Sequence, residues 1–286
     1  MTNQIPNPKL KSLVILNIMK DLCQAPQLDF DILLAFSIGK AREFLYSHPE
    51  HQISIIQYLR FRWFLRCYKK GFSVAAITKH KEFYGLDFFV NKHVLIPRPE
   101  TELMVAEAVE AIQTSDFRLQ LTNGQLPKTE VRSPILLIDV GTGSGCIPIS
   151  ILKNLTEPVI TYAIDTSRSA LCVAKKNALK HGVKINFLRG NLLEPVIPRL
   201  GGEGLKARGG LDNKSLADEL RPTHPYPAQA GNIIITANLP YLTEQQFQSE
   251  PSIQREPKKA LVADNNGLAL YEKLLKQIAS FCHCEE

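Results

Sequence analysis

Ile135 to Leu152 reads ILLIDVGTGSGCIPISIL, and the class of fold follows from it. An unbroken apolar run reaches Asp139, turns through Gly141, Gly143 and Gly145, and resumes at once as a second apolar segment. Continuous hydrophobicity suits a strand buried on both faces of a parallel sheet. The glycines let the backbone turn sharply and approach a ligand closely. The stretch therefore predicts a strand, a tight loop and a helix, beside which a nucleotide-like ligand sits by default. Its spacing, G-x-G-x-G, is tighter than the G-x-G-x-x-G of dinucleotide folds. A second strand, Val159 to Ile164, ends at Asp165, about 20 residues past the glycines, where a carboxylate can take both ribose hydroxyls. These features leave a dinucleotide and another nucleotide-like cofactor both open, and an ordinary strand-to-helix turn with packing glycines is the plain alternative.

A later stretch narrows the choice. Ile233 to Leu242, IIITANLPYL, is another buried-strand pattern running straight into Asn238-Leu239-Pro240-Tyr241. An amide or aromatic amine is a poor nucleophile because its lone pair is delocalised. A methyl-transfer enzyme must therefore hold the NH2 group with acceptors that aim its nitrogen at the methyl. Asn238 Oδ1 and the Leu239 carbonyl can serve as those acceptors. The Tyr241 ring can lie against the planar group, while Pro240 stiffens the turn. Alone, N-L-P-Y is simply a turn leaving a strand; downstream of the glycine loop and Asp165 it points to chemistry.

The 286 residues have room for one large domain or two modest ones, and 44% hydrophobic with 22% charged residues is an ordinary globular composition. A net charge of +6 and a pI near 8.9 suit an RNA-rich partner such as a translation complex, or simply a solvated basic surface. The six cysteines are scattered without metal-ligand spacing, Cys282-His283-Cys284 being too short and isolated for a four-ligand site. No metal is expected, and buried reduced thiols are. The amino terminus lacks a signal-peptide pattern and no apolar run spans a bilayer, so a cytoplasmic location with no membrane association is expected.

In chain order, residues 1–75 read as a helical bundle. Apolar positions recur at helical spacing at Leu13, Leu16, Ile18 and Leu22, at Ile32, Leu33, Phe36, Phe44 and Leu45, and at Ile55, Ile56, Leu59 and Trp63. Arg60, Arg62, Arg66, Lys69 and Lys70 give the last of these helices a basic face. Residues 76–102 read as a linking β-hairpin, within an aromatic and β-branched stretch from Phe72 to Val94, followed by Leu95-Ile96-Pro97-Arg98-Pro99-Glu100-Thr101-Glu102. Residues 103–286 form the third division: a helix Leu103 to Ile112, a polar linker Ser115 to Pro134, the first two core strands, a helix Ser169 to His181 and a third strand Lys184 to Leu188. Pro195 to Gly231 breaks this alternation as a long insertion with little apolar surface to bury. The fold class is α/β, a Rossmann-like doubly wound sheet behind a helical bundle.

With these motifs on the page, the chain resembles the release factor glutamine methyltransferases of PrmC/HemK type. The likeness runs through EFYGLDFFVNKHVLIPRPETE, DVGTGSG, the Asp165 strand, NLPY and REPKKALVADNNGLALYEKLL. It implies a class I S-adenosylmethionine-dependent fold, S-adenosyl-L-methionine as donor, and the glutamine of the Gly-Gly-Gln motif in class I peptide chain release factors as substrate. It further implies that Asp139, Gly141, Thr142, Gly143, Ser144 and Gly145 cradle the donor, that Asp165 holds its ribose, and that Asn191 and Leu192 border its adenine, with Asn238 alongside. Asn238, Leu239, Pro240 and Tyr241 become the catalytic, substrate-binding turn, and Arg98, Pro99 and Glu100 further substrate-binding positions. The helical unit takes the role of substrate recognition. A monomer that needs no direct nucleic-acid binding is expected.

Three departures stand out. Leu239 replaces the first proline of the usual N-P-P-Y, keeping the carbonyl and losing stiffness. Asn191 stands where an acid is common. The sequence stops at Glu286, just after a helix Leu268 to Ala279, where the family continues with the last strands of its sheet. N-L-P-Y also resembles the motif of adenosine dimethyltransferases acting on ribosomal RNA, so a nucleic-acid adenine methyltransferase is the rival enzyme, and a non-catalytic remnant the rival of another kind.

Overall fold

The computed structural model describes residues 10–11, 26–114, 135–197, 232–250 and 253–282. The expected helix at Leu13 to Leu22, the linker 115–134 and nearly all of the insertion 195–231 lie outside these residues. The chain divides into two compact units, residues 1–80 with 251–255, and residues 81–250 with 256–286.

In the first unit, α1 (Gln27–Ile38), α2 (Arg42–Ser47), α3 (Ile55–Lys69) and α4 (Val74–Thr78) pack around Phe30, Leu33, Leu34, Leu45, Phe61, Phe64 and Leu65. Two short strands, β1 (Leu10–Lys11) and β2 (Gln52–Ile53), pair antiparallel, which helical periodicity did not suggest. Ser54 closes the start of α3 by a capping box with Gln57, and Gly39 ends α1 in the left-handed region. One expectation is corrected here. Ile56, Leu59 and Trp63 are 76%, 57% and 58% exposed, whereas Phe61, Phe64 and Leu65 face the core. Helix α3 carries two apolar stripes, and spacing alone cannot choose between them. The Phe30 and Phe61 rings meet edge to face at 5.7 Å, a contact only the aromatic stripe can make. Arg255 lies over the Phe72 ring and donates to the Lys70 carbonyl, which ties 251–255 into this unit. The stretch expected as hairpin from Phe72 opens instead with helix α4, capped by the Ser73 hydroxyl.

The second unit, from Lys81, opens within the hairpin β3 (His80–Phe83) and β4 (Leu86–Phe89), turned at Tyr84 and Gly85. Helix α5 (Glu102–Thr114) follows, and Glu102 accepts the Tyr84 backbone N–H at 2.9 Å, holding the hairpin's turn against the helix start. Then come β5 (Ile135–Val140), α6 (Cys146–Lys153), β6 (Val159–Asp165), α7 (Arg168–His181), β7 (Asn186–Arg189), β8 (Asn232–Ala237), α8 (Glu244–Ser249) and α9 (Ala269–Cys282). Strands β7, β6, β5 and β8 make one parallel sheet in that order. The third strand begins two residues later than the apolar pattern suggests, at Asn186, whose side chain donates to the Thr161 carbonyl on β6.

Both faces of the sheet are covered, the doubly wound arrangement. Leu136, Ile138 and Val140 point into a cluster with Tyr162, Ile164, Leu188 and, from α9, Leu274. Leu137 points the other way, to Val105, Ala108 and Ile112 of α5 and to Ile149 and Ile151 of α6. The unbroken apolar run of β5 is thus the signature of a strand wetted on neither side. Among the cysteines, Cys146 is buried as expected, with burial pushing its thiol up to about 12. Cys172 is exposed on α7, contrary to expectation.

Candidate active site

Chain order moves from β5 outward through β6 to β7, then returns to add β8 on the other side of β5. That reversal opens a crevice at the carboxyl ends of β5 and β8, where ligands bind in open α/β sheets. The register pairs Asp139 with Thr236 and Val140 with Ala237, so the glycine loop and the Asn238 turn leave adjacent strands at the same level. An ideal Cβ on Gly141 would stand 3.1 Å from the Leu239 side chain, which shows how closely loop and turn approach. Gly141, Gly143 and Gly145 all have positive φ (75°, 54° and 78°), the conformation that favours glycine.

Asp139, the penultimate residue of β5, is fully buried just before the glycine loop. Its Oδ1 accepts the Thr236 hydroxyl at 2.7 Å, while neither its Oδ2 nor the buried Thr142 hydroxyl has a formed hydrogen bond. Burial pushes the Asp139 carboxyl up to about 6, against the lowering influence of the Thr142 and Thr236 hydroxyls. Thr142 stands near enough for that influence without forming a hydrogen bond to the carboxylate. Two buried, unsatisfied polar atoms beneath a glycine loop are what a polar ligand completes. They fit the amino-acid portion of the donor.

Asp165 ends β6. Its Oδ2 accepts the Gly143 N–H at 2.9 Å and its Oδ1 the Ser167 N–H at 2.8 Å. The residue expected at the ribose is therefore also a strut of the glycine loop, and each oxygen keeps a further lone pair. Burial raises its pKa, and the two N–H groups oppose this. Asn191 follows β7 and donates to Glu194 at 3.2 Å, and Leu192, at φ 51°, buries its side chain in the core. Ser144 is buried, and its carbonyl accepts from Asn177 Nδ2 at 2.9 Å. Asn177 also exchanges two hydrogen bonds with the Phe89 backbone, stapling β4 to the loop.

The Asn238–Tyr241 turn is held from several directions. Asn238 Nδ2 donates to the Thr101 hydroxyl at 3.1 Å, which leaves Oδ1 as an acceptor. Leu239 is buried, Pro240 half-buried, and Tyr241 56% exposed. Leu242 and Val262 bridge, with the Leu242 N–H donating to the Leu261 carbonyl and the Ala263 N–H to the Leu242 carbonyl. Gly267, at φ 86°, backs onto Tyr241 so tightly that a Cβ there would lie 2.0 Å from the Tyr241 carbonyl oxygen. Tyr271 on α9 reaches the Leu239 backbone.

Arg98 pairs with Glu256, whose other oxygen accepts the Ile96 N–H at 3.0 Å, so this arginine braces two loops. Pro99 opens a 3-10 turn through Thr101, and Glu100 is exposed. Thr101, Thr236, Gly267 and Tyr271 escaped the sequence reading as site residues. Asn265-Asn266-Gly267, all three at positive φ, carried a turn signal in their composition. The other three carried none.

This crevice, with its glycine loop, strand-end acid and Asn-Leu-Pro-Tyr turn on a parallel doubly wound sheet, defines a class I S-adenosylmethionine-dependent methyltransferase. The chain is 31% identical over 254 residues to the release factor glutamine methyltransferase of Bacillus subtilis, covering 87% of this chain and 72% of that protein. It is 30% identical over 256 residues to that of Rhodopirellula baltica, covering 88% and 72%. It belongs to the release factor glutamine methyltransferase family. It is also 30% identical over 270 residues to the bifunctional methyltransferase of Rickettsia bellii, of which it spans 43%. No family model matches the chain. Among solved structures, an O-methyltransferase from Bacillus cereus in complex with SAH aligns at 12% identity over 65% of this chain and 82% of that one, with a TM-score of only 0.27.

Proposed function

We propose that this chain methylates the side-chain amide nitrogen of the glutamine in the Gly-Gly-Gln motif of class I peptide chain release factors. The observation that carries this reading is the Asn238 side chain. With its NH2 engaged by Thr101, it offers Oδ1 at the mouth of the crevice, one residue before the Leu239 carbonyl. Two acceptors so spaced suit the two hydrogens of a primary amide.

The donor supplies, when bound, an electrophilic methyl on a sulfonium. Asp139 and Thr142 would receive its amino-acid end, Asp165 its ribose, and Asn191 with the Leu192 backbone the rim of its base. Asn238 Oδ1 and the Leu239 carbonyl orient the substrate nitrogen, and Tyr241 presents an exposed ring to the planar amide. No strong base is needed, because the proton leaves to solvent after the methyl has transferred. The work of the turn is alignment, which can contribute roughly 7–11 kcal/mol to a barrier in favourable cases. The helical unit serves recognition, and a cytoplasmic monomer is the state in which we expect the enzyme to act. No helix among the described residues is long and apolar enough to cross a membrane.

The test is incubation with labelled donor and, separately, a class I release factor or ribosomal RNA. Label on the release factor, abolished when the glutamine of Gly-Gly-Gln is replaced by alanine, supports the reading. Label on RNA alone overturns it in favour of an adenine methyltransferase. Donor binding without transfer to either overturns it in favour of a non-catalytic remnant.

A further inference from the structure

The geometry points to Tyr271 as a positioning residue of the substrate-binding turn, supplying here the rigidity that a proline at position 239 would otherwise provide. The Leu239 N–H donates to Tyr271 Oη at 3.1 Å, and the same hydroxyl donates to the Leu239 carbonyl at 3.3 Å. One hydroxyl can do both, since it is a donor and an acceptor. The first of these bonds requires an N–H at residue 239, which proline lacks. Leucine thus gives up a ring constraint and gains a hydrogen bond, and a partner for it is present.

The remaining contacts of residue 239 act in the same direction. Its side chain is 3% exposed and shares a cluster with Leu274, one turn along α9 from Tyr271. Tyr271 itself lies in the first turn of α9, directly after the Asn265–Gly267 turn that backs onto the Tyr241 carbonyl. The hydroxyl thus meets residue 239, while the turn just before its helix meets Tyr241 at the end of N-L-P-Y. Burial raises the Tyr271 pKa, so the hydroxyl keeps its proton and remains the donor to the carbonyl across the neutral range.

The consequence for turnover rests on the proposed function, because there the Leu239 carbonyl is one of the two acceptors that aim the substrate nitrogen. Its direction is set by Tyr271, and the 3.3 Å bond leaves the carbonyl's second lone pair for substrate. Tyr271 touches neither methyl nor substrate and acts through residue 239 alone.

Tyr271→Phe keeps the ring and removes the hydroxyl. We expect kcat/KM toward a release factor to fall about 3- to 10-fold, the scale of one or two lost hydrogen bonds, with the donor Kd unchanged and amide exchange at Leu239 accelerated. Leu239→Pro should cost less in the Tyr271→Phe background than in the wild type, since the bond that proline removes is already gone. Wild-type exchange at Leu239 in Tyr271→Phe overturns the hold itself, and strictly additive effects on kcat/KM overturn the exchange of one constraint for the other. A wild-type protein that methylates no release factor would instead defeat the proposed function, while the amide-exchange comparison still reports on Tyr271.

Discussion

The side-chain amide of Asn238 donates to the Thr101 hydroxyl at 3.1 Å, across 137 residues of sequence. This joins the last residues of the L-I-P-R-P-E-T-E segment to the turn at the end of β8 and selects which face of the amide is offered outward. Thr101→Val should release that choice and lower turnover about 3- to 10-fold while leaving donor affinity intact, and Thr101→Ser should restore the rate. Equal kcat for Thr101→Val and wild type would remove Thr101 from any positioning role.

Asn238→Ala should reduce turnover severely, on the order of 100-fold or more, because on the proposed reading it deletes an acceptor aimed at the reacting group. Donor affinity should change little by comparison. A near-normal rate at saturating donor, measured with purified release factor, would refute alignment by Asn238.

For the donor side, Asp165→Ala should weaken donor binding by roughly 1–3 kcal/mol, the scale of leaving buried polar partners unpaired. It also strands the Gly143 N–H, which Asp165 now accepts at 2.9 Å, so the melting temperature without donor should fall too. Calorimetry showing unchanged donor affinity would take the ribose away from Asp165, whatever happens to the melting temperature.

Asp139 makes stability depend on pH. Its folded pKa is raised from 3.8 to about 6, so the folded protein holds this proton where the unfolded chain has released it. The contribution is full below the unfolded value and is lost as pH rises through about 6. By pH 7.5 the loss should be on the order of 2–3 kcal/mol. Asp139→Asn, neutral throughout, keeps an oxygen for Thr236 and should close that gap. The difference in urea midpoint between the two proteins, followed from pH 4.5 to 7.5, should therefore move in favour of the variant; a flat difference would contradict it.

Gly267→Ala should be costly in two ways. A φ of 86° strains any side chain, and the added carbon would stand 2.0 Å from the Tyr241 carbonyl oxygen. We expect a loss of roughly 1–3 kcal/mol in urea unfolding together with lower turnover, because relief requires Tyr241 to move. Full activity in a stable Gly267→Ala protein would show that the turn tolerates displacement.

Much of the sheet was legible in sequence because its determinants are local. Ile135 to Val140 has no polar alternation, so both of its faces must be dry. The three glycines and Asp165 sit at the ends of such runs, where parallel topology collects them at one edge. The two apolar stripes of α3 mark the limit of this reasoning, since periodicity reports that a face is apolar and never which of two faces finds a partner. Phe30 decided that, from another helix.

By itself the sequence determined the order of the four core strands and the helices after the first two, the glycine loop, the strand-end acid and the Asn-Leu-Pro-Tyr turn, since each is written in consecutive residues whose backbone preferences act over a few positions. Tertiary structure alone decided that Arg98 would pair with Glu256, that Thr101 would hold Asn238, and that Tyr271 would meet both polar groups of the Leu239 backbone. A lone threonine or tyrosine carries no pattern. Its role exists only once the chain has brought a distant carbonyl, amide or N–H within 3.1–3.3 Å of its hydroxyl.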